Sequence, residues 1–311
     1  MNGMHIEGKS YLKYDNKMMK FLEGNDLTIY RTLLILAAAV YFVFALFMLP
    51  SSADHRDLLI IAHRGASGYA PEHTIKAYEL GIKQGGTYTE IDLQMTKDGT
   101  LIALHDETVE RTTNGKGLVK QLTLTQIKKL DAGSSFNHLN PKRAKKEYEG
   151  LQIPTLEEIF QTFGSDHRYY IEVKAPSHSG EMEEKLVELI TRYDIKTNHI
   201  YIQSFSKDSL QKLKQLKPSL RLIQLLPSHR SGFITRKQLK AISAYAVGVG
   251  PNARLLTSQY VQTVKTAGLD IHPYTVNDAK QMKRLIKWGV DGMFTDYPDR
   301  LAHIVKNIKE K

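Results

Sequence analysis

Two hydrophobic patterns divide the chain. Residues 32–49, TLLILAAAVYFVFALFML, run without a charge and stop at Pro50. As a helix that run rises about 27 Å, enough to cross the hydrocarbon core of a bilayer. After a polar stretch over 50–57, short apolar runs alternate with amphipathic segments to the C-terminus. The runs predict strands at Leu58–His63, Thr87–Met95, Tyr169–Lys174, Ile200–Phe205, Leu220–Leu226, Ala244–Gly250, Leu269–Val276 and Gly292–Thr295. Segments such as Glu181–Tyr193 and Asp278–Trp288 carry apolar residues at helical spacing. Eight parallel strands over about 250 residues match an α/β protein of the (β/α)8 TIM-barrel class. The predicted order is an N-terminal segment (1–31), a transmembrane helix or signal anchor (32–49), a linker (50–57), a barrel (58–305) and a short tail (306–311). Residues 107–167 form a longer excursion with helix-like pieces at Thr123–Leu130 and Thr155–Phe163, expected as an insertion over the barrel mouth.

The second strand continues into TYTEIDLQMTKDGTLIALHD, residues 87–106. Glu90 and Asp92 are two apart in a strand, so both carboxylates leave one face. Asp98-Gly99 is the dipeptide that a two-residue type I′ turn prefers. That turn pairs Lys97 with Thr100 and sets His105 opposite Asp92, on the same face. Alone, this is equally an ordinary exposed hairpin. The other strand ends favour a site. They carry His63-Arg64-Gly65, Glu172-Val173-Lys174, His272-Pro273-Tyr274-Thr275 and Thr295-Asp296, all at the C-terminal end where barrel chemistry sits. Chance polarity would scatter such residues along the strands. His272 is a strand-end residue that is a candidate for lining the pocket, and Asp296 is read as fixing the last loop.

Composition narrows the choices. The chain has no cysteine, which excludes disulfides, thiolate metal sites and cysteine nucleophiles. Its formal charge is +10. Five Lys/Arg against four Asp/Glu give residues 1–31 only +1 of that total, so the excess lies beyond them. The basic residues are scattered among acids, and no basic helix is interleaved with aromatics, which argues against nucleic acid. Lys13, Lys17, Lys20 and Arg31 precede the apolar run, whereas only Arg56 and Arg64 follow closely. The positive-inside rule then puts the N-terminus in the cytoplasm and the catalytic part outside the cell membrane. Ser51-Ser52-Ala53 offers the alternative of a cleaved signal and a secreted product.

The segments IIAHRGASGYAPEHT, TEIDLQMTKDGTLIALHDETVERTTNGKG, IEVKA, SF at 204–205, HPYTVN and GVDGMFTDYPD occur in this order between residues 58 and 305. Together they resemble the glycerophosphodiester phosphodiesterase family in its bacterial, membrane-anchored form. The resemblance implies hydrolysis of glycerophosphodiesters to sn-glycerol 3-phosphate and an alcohol. It implies a metal held by Glu90, Asp92 and Glu172, and an all-oxygen set suits one hard divalent cation, Ca²⁺ or Mg²⁺. It makes His63 and His105 the general acid and base, a task suited to imidazole. It sets Arg64 and Lys174 on the phosphate oxygens, Glu72 behind Arg64, and Tyr274 against the substrate. Two positions depart from the pattern. The family usually has Asn where His73 stands and often Trp where Tyr274 stands. His73 is read as a passenger at a helix start, with altered contacts to phosphate or glycerol as the other reading. Competing functions are a lysophospholipase D, a hydrolase of glycerol-phosphate wall polymer, and a catalytically silent phosphodiester-binding protein. A large apolar groove beside the metal would favour lipid, and a small polar pocket would favour deacylated diesters. The oligomeric state is left open.

Overall fold

The computed structural model describes residues 32, 34–37, 41, 57–174, 180–227 and 233–310. The chain divides into two units, Met1–Arg56 and Asp57–Lys311. In the first, Thr32, residues 34–37 and Tyr41 are helical. Among the described residues no helix is long and apolar enough to cross a membrane. The remainder of the expected span 32–49, the segment 1–31 and residues 50–56 lie outside the described residues.

The second unit is built on β1 (Leu59–Ala62), β2 (Tyr88–Met95), β3 (Leu101–Ala103), β4 (Tyr169–Val173), β5 (Ile200–Ser204), β6 (Arg221–Leu226), β7 (Gly248–Pro251), β8 (Asp270–Ile271) and β9 (Gly292–Thr295). The helices are α1 (Ile75–Lys83), α2 (Leu124–Ile127), α3 (Ser134–Leu139), α4 (Leu156–Phe163), α5 (Glu181–Arg192) and α6 (Lys207–Leu216). They continue with α7 (Arg236–Ile242), α8 (Ser258–Thr266), α9 (Ala279–Trp288) and α10 (Pro298–Lys309). The strand order is β8-β7-β6-β5-β4-β2-β1-β9, all parallel, with β3 antiparallel on β2. This is a nearly closed eight-stranded barrel. Phe294 N donates to Pro273 O (3.0 Å) and Val276 N to Phe294 O (2.8 Å) across the seam between β9 and the segment after β8. Pro273 has no N–H to give a regular ladder, so β8 is far shorter than the expected Leu269–Val276. β7 starts later than Ala244 because the amides of Tyr245 and Ala246 both bond Ile242 O and finish α7.

The strands alternate with period two. Outward residues such as Ile91, Leu93, Ile171 and Ile202 join the core shared with the helices. The inward face carries an aromatic floor of Tyr88, Tyr170, Tyr201 and Phe294. On the same face Glu90 pairs level with Tyr170, and one pleat beyond that pair toward the C-terminal end stand Asp92, Glu172 and Gln203. Parallel pairing sets Asp92 beside Glu172, and Glu172 beside Gln203. The acids therefore stand on a packed apolar base.

The hairpin register differs from expectation by one residue. Met95 pairs with Leu101 and Leu93 with Ala103, and Leu104 N donates to Asp92 O. Leu104, not His105, lies opposite Asp92. The loop has three residues, Lys97-Asp98-Gly99, with only Gly99 at positive φ. Asp98 is instead used as an anchor. Its carboxylate accepts the Thr96 hydroxyl (2.6 Å) and the Leu124 amide (3.0 Å) at the start of α2. The excursion after β3 has its own small core of Ile102, Leu104, Val109, Val119, Ile127, Ala132 and Ile153. α4, which opens with a Thr155/Glu158 capping box, packs Leu156, Ile159 and Phe160 into the main barrel core.

Candidate active site

β1 ends at Ala62, and the next two residues enter the mouth of the barrel. Arg64 is held at φ +56°, an uncommon conformation for a side-chain-bearing residue. Its amide donates to Glu90 Oε2 (2.8 Å), its Nη1 donates to Glu72 Oε1 (2.9 Å), and its Nε lies 3.3 Å from Asp92 Oδ2. The turn is tight enough that a Cβ at Gly65 would lie 2.5 Å from the Ala77 carbonyl carbon. Lys174, just past β4, puts Nζ 3.1 Å from Glu172 Oε1 and 3.9 Å from Asp92 Oδ1.

The three acids differ in charge state. Burial, then the neighbouring Asp92 carboxylate, push Glu90 well above the usual carboxylate range and push Glu172 up to about 8. Burial acts in the same direction on Asp92. There the hydrogen bond from His73 and the charges of Arg64 and Lys174 outweigh it and hold Asp92 well below its ordinary value. Buried carboxylates that crowd one another in this way are poised for a cation.

Both histidines singled out in the sequence are tethered through one ring nitrogen. His63 Nδ1 lies 2.7 Å from Asp296 Oδ1, and Asp296 is fixed by Ser67 Oγ (2.9 Å) and Asn277 Nδ2 (2.5 Å). His105 Nδ1 lies 2.5 Å from Asp106 Oδ1. Asp106 in turn accepts from Arg111 Nε (2.5 Å), and Arg111 grips both oxygens of Glu72 at 2.8 Å. Carboxylates only accept, so each Nδ1 carries the proton and each Nε2 is left for chemistry. Burial lowers the affinity of His105 for a proton, partly offset by Asp92. His63, Arg64, Glu90, Asp92, His105, Glu172, Lys174 and Tyr274 line one cavity of about 180 Å³. Glu72 sits behind it. Burial raises Glu72, but Arg111 and Arg64 hold its carboxyl well below the usual range.

A scan of family models matches residues 63–300 to the glycerophosphoryl diester phosphodiesterase family. The chain belongs to that family. It is 50% identical over 254 residues to a glycerophosphodiester phosphodiesterase of Bacillus subtilis, covering 80% of this chain and 86% of that one. A Caldanaerobacter subterraneus protein of the same name is 38% identical over 251 residues, covering 80% and 98%. Among solved structures, an Oleispira antarctica phosphodiesterase in complex with the product sn-glycerol-3-phosphate aligns with TM-score 0.69 and 28% identity. It covers 80% of this chain and 96% of its own. An Agrobacterium tumefaciens glycerophosphodiester phosphodiesterase aligns with TM-score 0.66 and 27% identity, covering 79% and 100%. The protein is an enzyme, a phosphoric diester hydrolase.

Within this family member, four residues near the site do more than a sequence reading assigns them: it gives Asp106 and Arg111 no part, Asp296 only the fixing of the last loop, and His73 a passenger's place at a helix start. Asp106, Arg111 and Asp296 hold the histidines and Glu72. Their signal was the run HDETVERT and the strand-end Asp, but contacts between adjacent residues or between distant loops leave no periodicity to read. The fourth is His73, and it is no passenger. It is buried at 2% exposure with φ +55°. Its Nε2 lies 2.8 Å from Asp92 Oδ2 and its Nδ1 lies 2.9 Å from the Tyr78 hydroxyl. A carboxylate only accepts, so Nε2–H donates to Asp92. Burial, opposed by Asp92, lowers the affinity of the ring for a second proton. His73, Glu90 and Asp92 bring ligand atoms within 4.8 Å of one another, a group that could hold a metal ion. His272, by contrast, belongs to the core. It is fully buried, with Nδ1 2.9 Å from the Tyr170 hydroxyl.

Proposed function

We propose that this enzyme hydrolyses glycerophosphodiesters to sn-glycerol 3-phosphate and an alcohol, with His63 and His105 as the acid/base pair. The observation that carries the reading is the pair of Nδ1-tethered imidazoles facing one small cavity with three carboxylates and two cations. Phosphodiester cleavage needs one proton removed from the attacking oxygen and one delivered to the leaving alkoxide. Two imidazoles of fixed tautomer meet that need, one as base and one as acid. Arg64 and Lys174 supply positive charge for the non-bridging oxygens. Gln203, buried at 2% exposure, lines the same cavity and has an Oε1 without a partner among the described residues, available to a substrate hydroxyl or water.

Glu90, Asp92 and Glu172 fit a divalent cation, Ca²⁺ or Mg²⁺, whose charge would draw phosphate oxygens into the site and offset the crowding of the acids. His73 is the less suitable ligand. Its Nε2–H is engaged on Asp92, and hard cations prefer oxygen. The names of the relatives support glycerophosphodiesters as substrates. Residues 32–49 are read as a single-pass anchor with the N-terminus cytoplasmic and the barrel outside, a proposal that rests on their hydropathy and flanking charge. Protease protection of the barrel in sealed cells would contradict that orientation.

The function is tested with glycerophosphocholine as substrate, following glycerol 3-phosphate release with Ca²⁺, with Mg²⁺ and after EDTA. Release that stops with EDTA and in Glu172→Gln supports the reading. Undiminished release after exhaustive chelation removes the metal from it, and no release in any metal sinks the substrate.

A further inference from the structure

His73 reaches Asp92 from the loop between β1 and α1, and its backbone is fixed on both sides. Its amide donates to Arg64 O (3.2 Å). The next residue, Thr74, caps α1 by accepting from the Ala77 amide and donates its hydroxyl to Pro71 O (2.8 Å). The imidazole then enters a dry slot where both ring nitrogens are engaged, Nε2 on Asp92 Oδ2 and Nδ1 with the Tyr78 hydroxyl. The Tyr78 ring is fully buried, meets the imidazole edge-on at 6.2 Å and meets Phe163 edge-on at 6.3 Å. The imidazole cannot swing without breaking a buried hydrogen bond. Asp92 is therefore held as firmly as the packed side of α1 behind it.

The two oxygens of Asp92 differ as a result. Oδ2 is taken by His73 and also faces Arg64 Nε at 3.3 Å. Oδ1 has Lys174 Nζ 3.9 Å away, too far for a hydrogen bond. Glu90 is divided in the same way, since its Oε2 accepts the Arg64 amide. The first loop thus occupies one oxygen of each β2 carboxylate and leaves the other for a ligand. We propose that His73 is a positioning residue for the cation site: its Nε2–H holds Asp92 Oδ2, presents Oδ1 to the ion, and so sets how tightly a divalent cation binds. This rests on the reading of Glu90, Asp92 and Glu172 as the ligands. A carboxylate fixed beforehand loses no rotamer freedom when the ion arrives, and hydrogen bonds behind a ligand commonly govern affinity in this way. The short spacing of His73, Glu90 and Asp92 ligand atoms is what this hydrogen bond itself produces. Ligation through Nε2 would need a lone pair, which a nitrogen that carries the donated proton lacks.

The test is calorimetric binding of Ca²⁺, Mg²⁺ and Ni²⁺ to the full chain stripped with EDTA, with circular dichroism to check each fold. His73→Ala should weaken all three ions by a similar factor, about 10- to 100-fold. In His73→Gln an amide N–H reaches the point that Nε2 occupied, and affinity should return to within about threefold of the parent. Tyr78→Phe keeps the buried ring and releases only the far side of the imidazole. It asks the same question should His73→Ala not fold, and a loss of about threefold or more is expected. Equal affinity in the parent, His73→Ala and Tyr78→Phe overturns the proposal. A Ni²⁺ loss far beyond the Ca²⁺ loss, unrestored in His73→Gln, overturns it in favour of the imidazole as a ligand, because nickel suits imidazole and calcium suits oxygen. Failure of the cation reading itself looks different: the parent binds none of the three ions, and the proposal ends with the reading on which it rests.

Discussion

Replacing His73 by Ala removes the imidazole between a carboxylate and a phenol in a dry part of the site. The Tyr78 hydroxyl, on a fully buried ring, loses its partner, at a cost of about 1–3 kcal/mol for an unsatisfied buried group. Asp92 loses a charge-assisted hydrogen bond but keeps Arg64 Nε at 3.3 Å, so a further 1–2 kcal/mol or so is expected there. With a partly collapsing cavity, the total is roughly 3–5 kcal/mol. His73→Asn should lose less, because Asn tolerates positive φ. The assay is urea unfolding followed by circular dichroism and by the single tryptophan, Trp288. The decisive comparison is the double variant His73→Ala/Tyr78→Phe, which removes the orphaned hydroxyl and should recover about 1 kcal/mol relative to simple addition of the two single losses. Strictly additive losses would refute the view that His73 links Asp92 to Tyr78.

Further outcomes follow from the same geometry. Asp296→Asn should leave the fold intact and lower kcat by about 100-fold or more, because His63 loses the partner that fixes its proton; equal kcat would remove Asp296 from the account. Arg111→Ala frees Glu72 and Asp106 together, and should weaken substrate binding severalfold while Asp106→Ala gives no further loss in the double variant. Acid stability should reflect His272, whose burial lowers its pKa to about 4. The folded state disfavours its proton, so this contribution is complete above the unfolded value near 6.5 and fades as pH falls toward 4. Its size is about 3 kcal/mol, and unfolding free energy measured between pH 7 and 4 should fall less in His272→Asn than in the parent.

Much of this molecule is legible in its sequence because a barrel strand has a strict period. Glu90 and Asp92 could be assigned to one face by counting, the polar strand ends located the mouth, and Glu172 joined the two acids only through the family resemblance. The hairpin was harder. Asp98-Gly99 favours a two-residue turn, yet the Asp98 side chain is worth more as an anchor for the Leu124 amide, and the register moves by one. His105 reaches the site regardless, since the strand stops at Ala103 and the chain turns inward. Proline 273 shortened β8 in a way that hydropathy does not encode. The carboxylates behind the histidines, and His73 behind Asp92, are matters of three-dimensional neighbourhood. No single-sequence pattern joins residues 63 and 296.

In the proposed mechanism His63 and His105 divide the two proton transfers of one diester cleavage. The most direct measurement is the pH dependence of kcat/KM on glycerophosphocholine for the parent, His63→Ala and His105→Ala. A bell-shaped profile in the parent, with a different limb lost in each variant and kcat lowered at least about 100-fold in both, is the predicted result. A profile whose two limbs survive in both variants would contradict it.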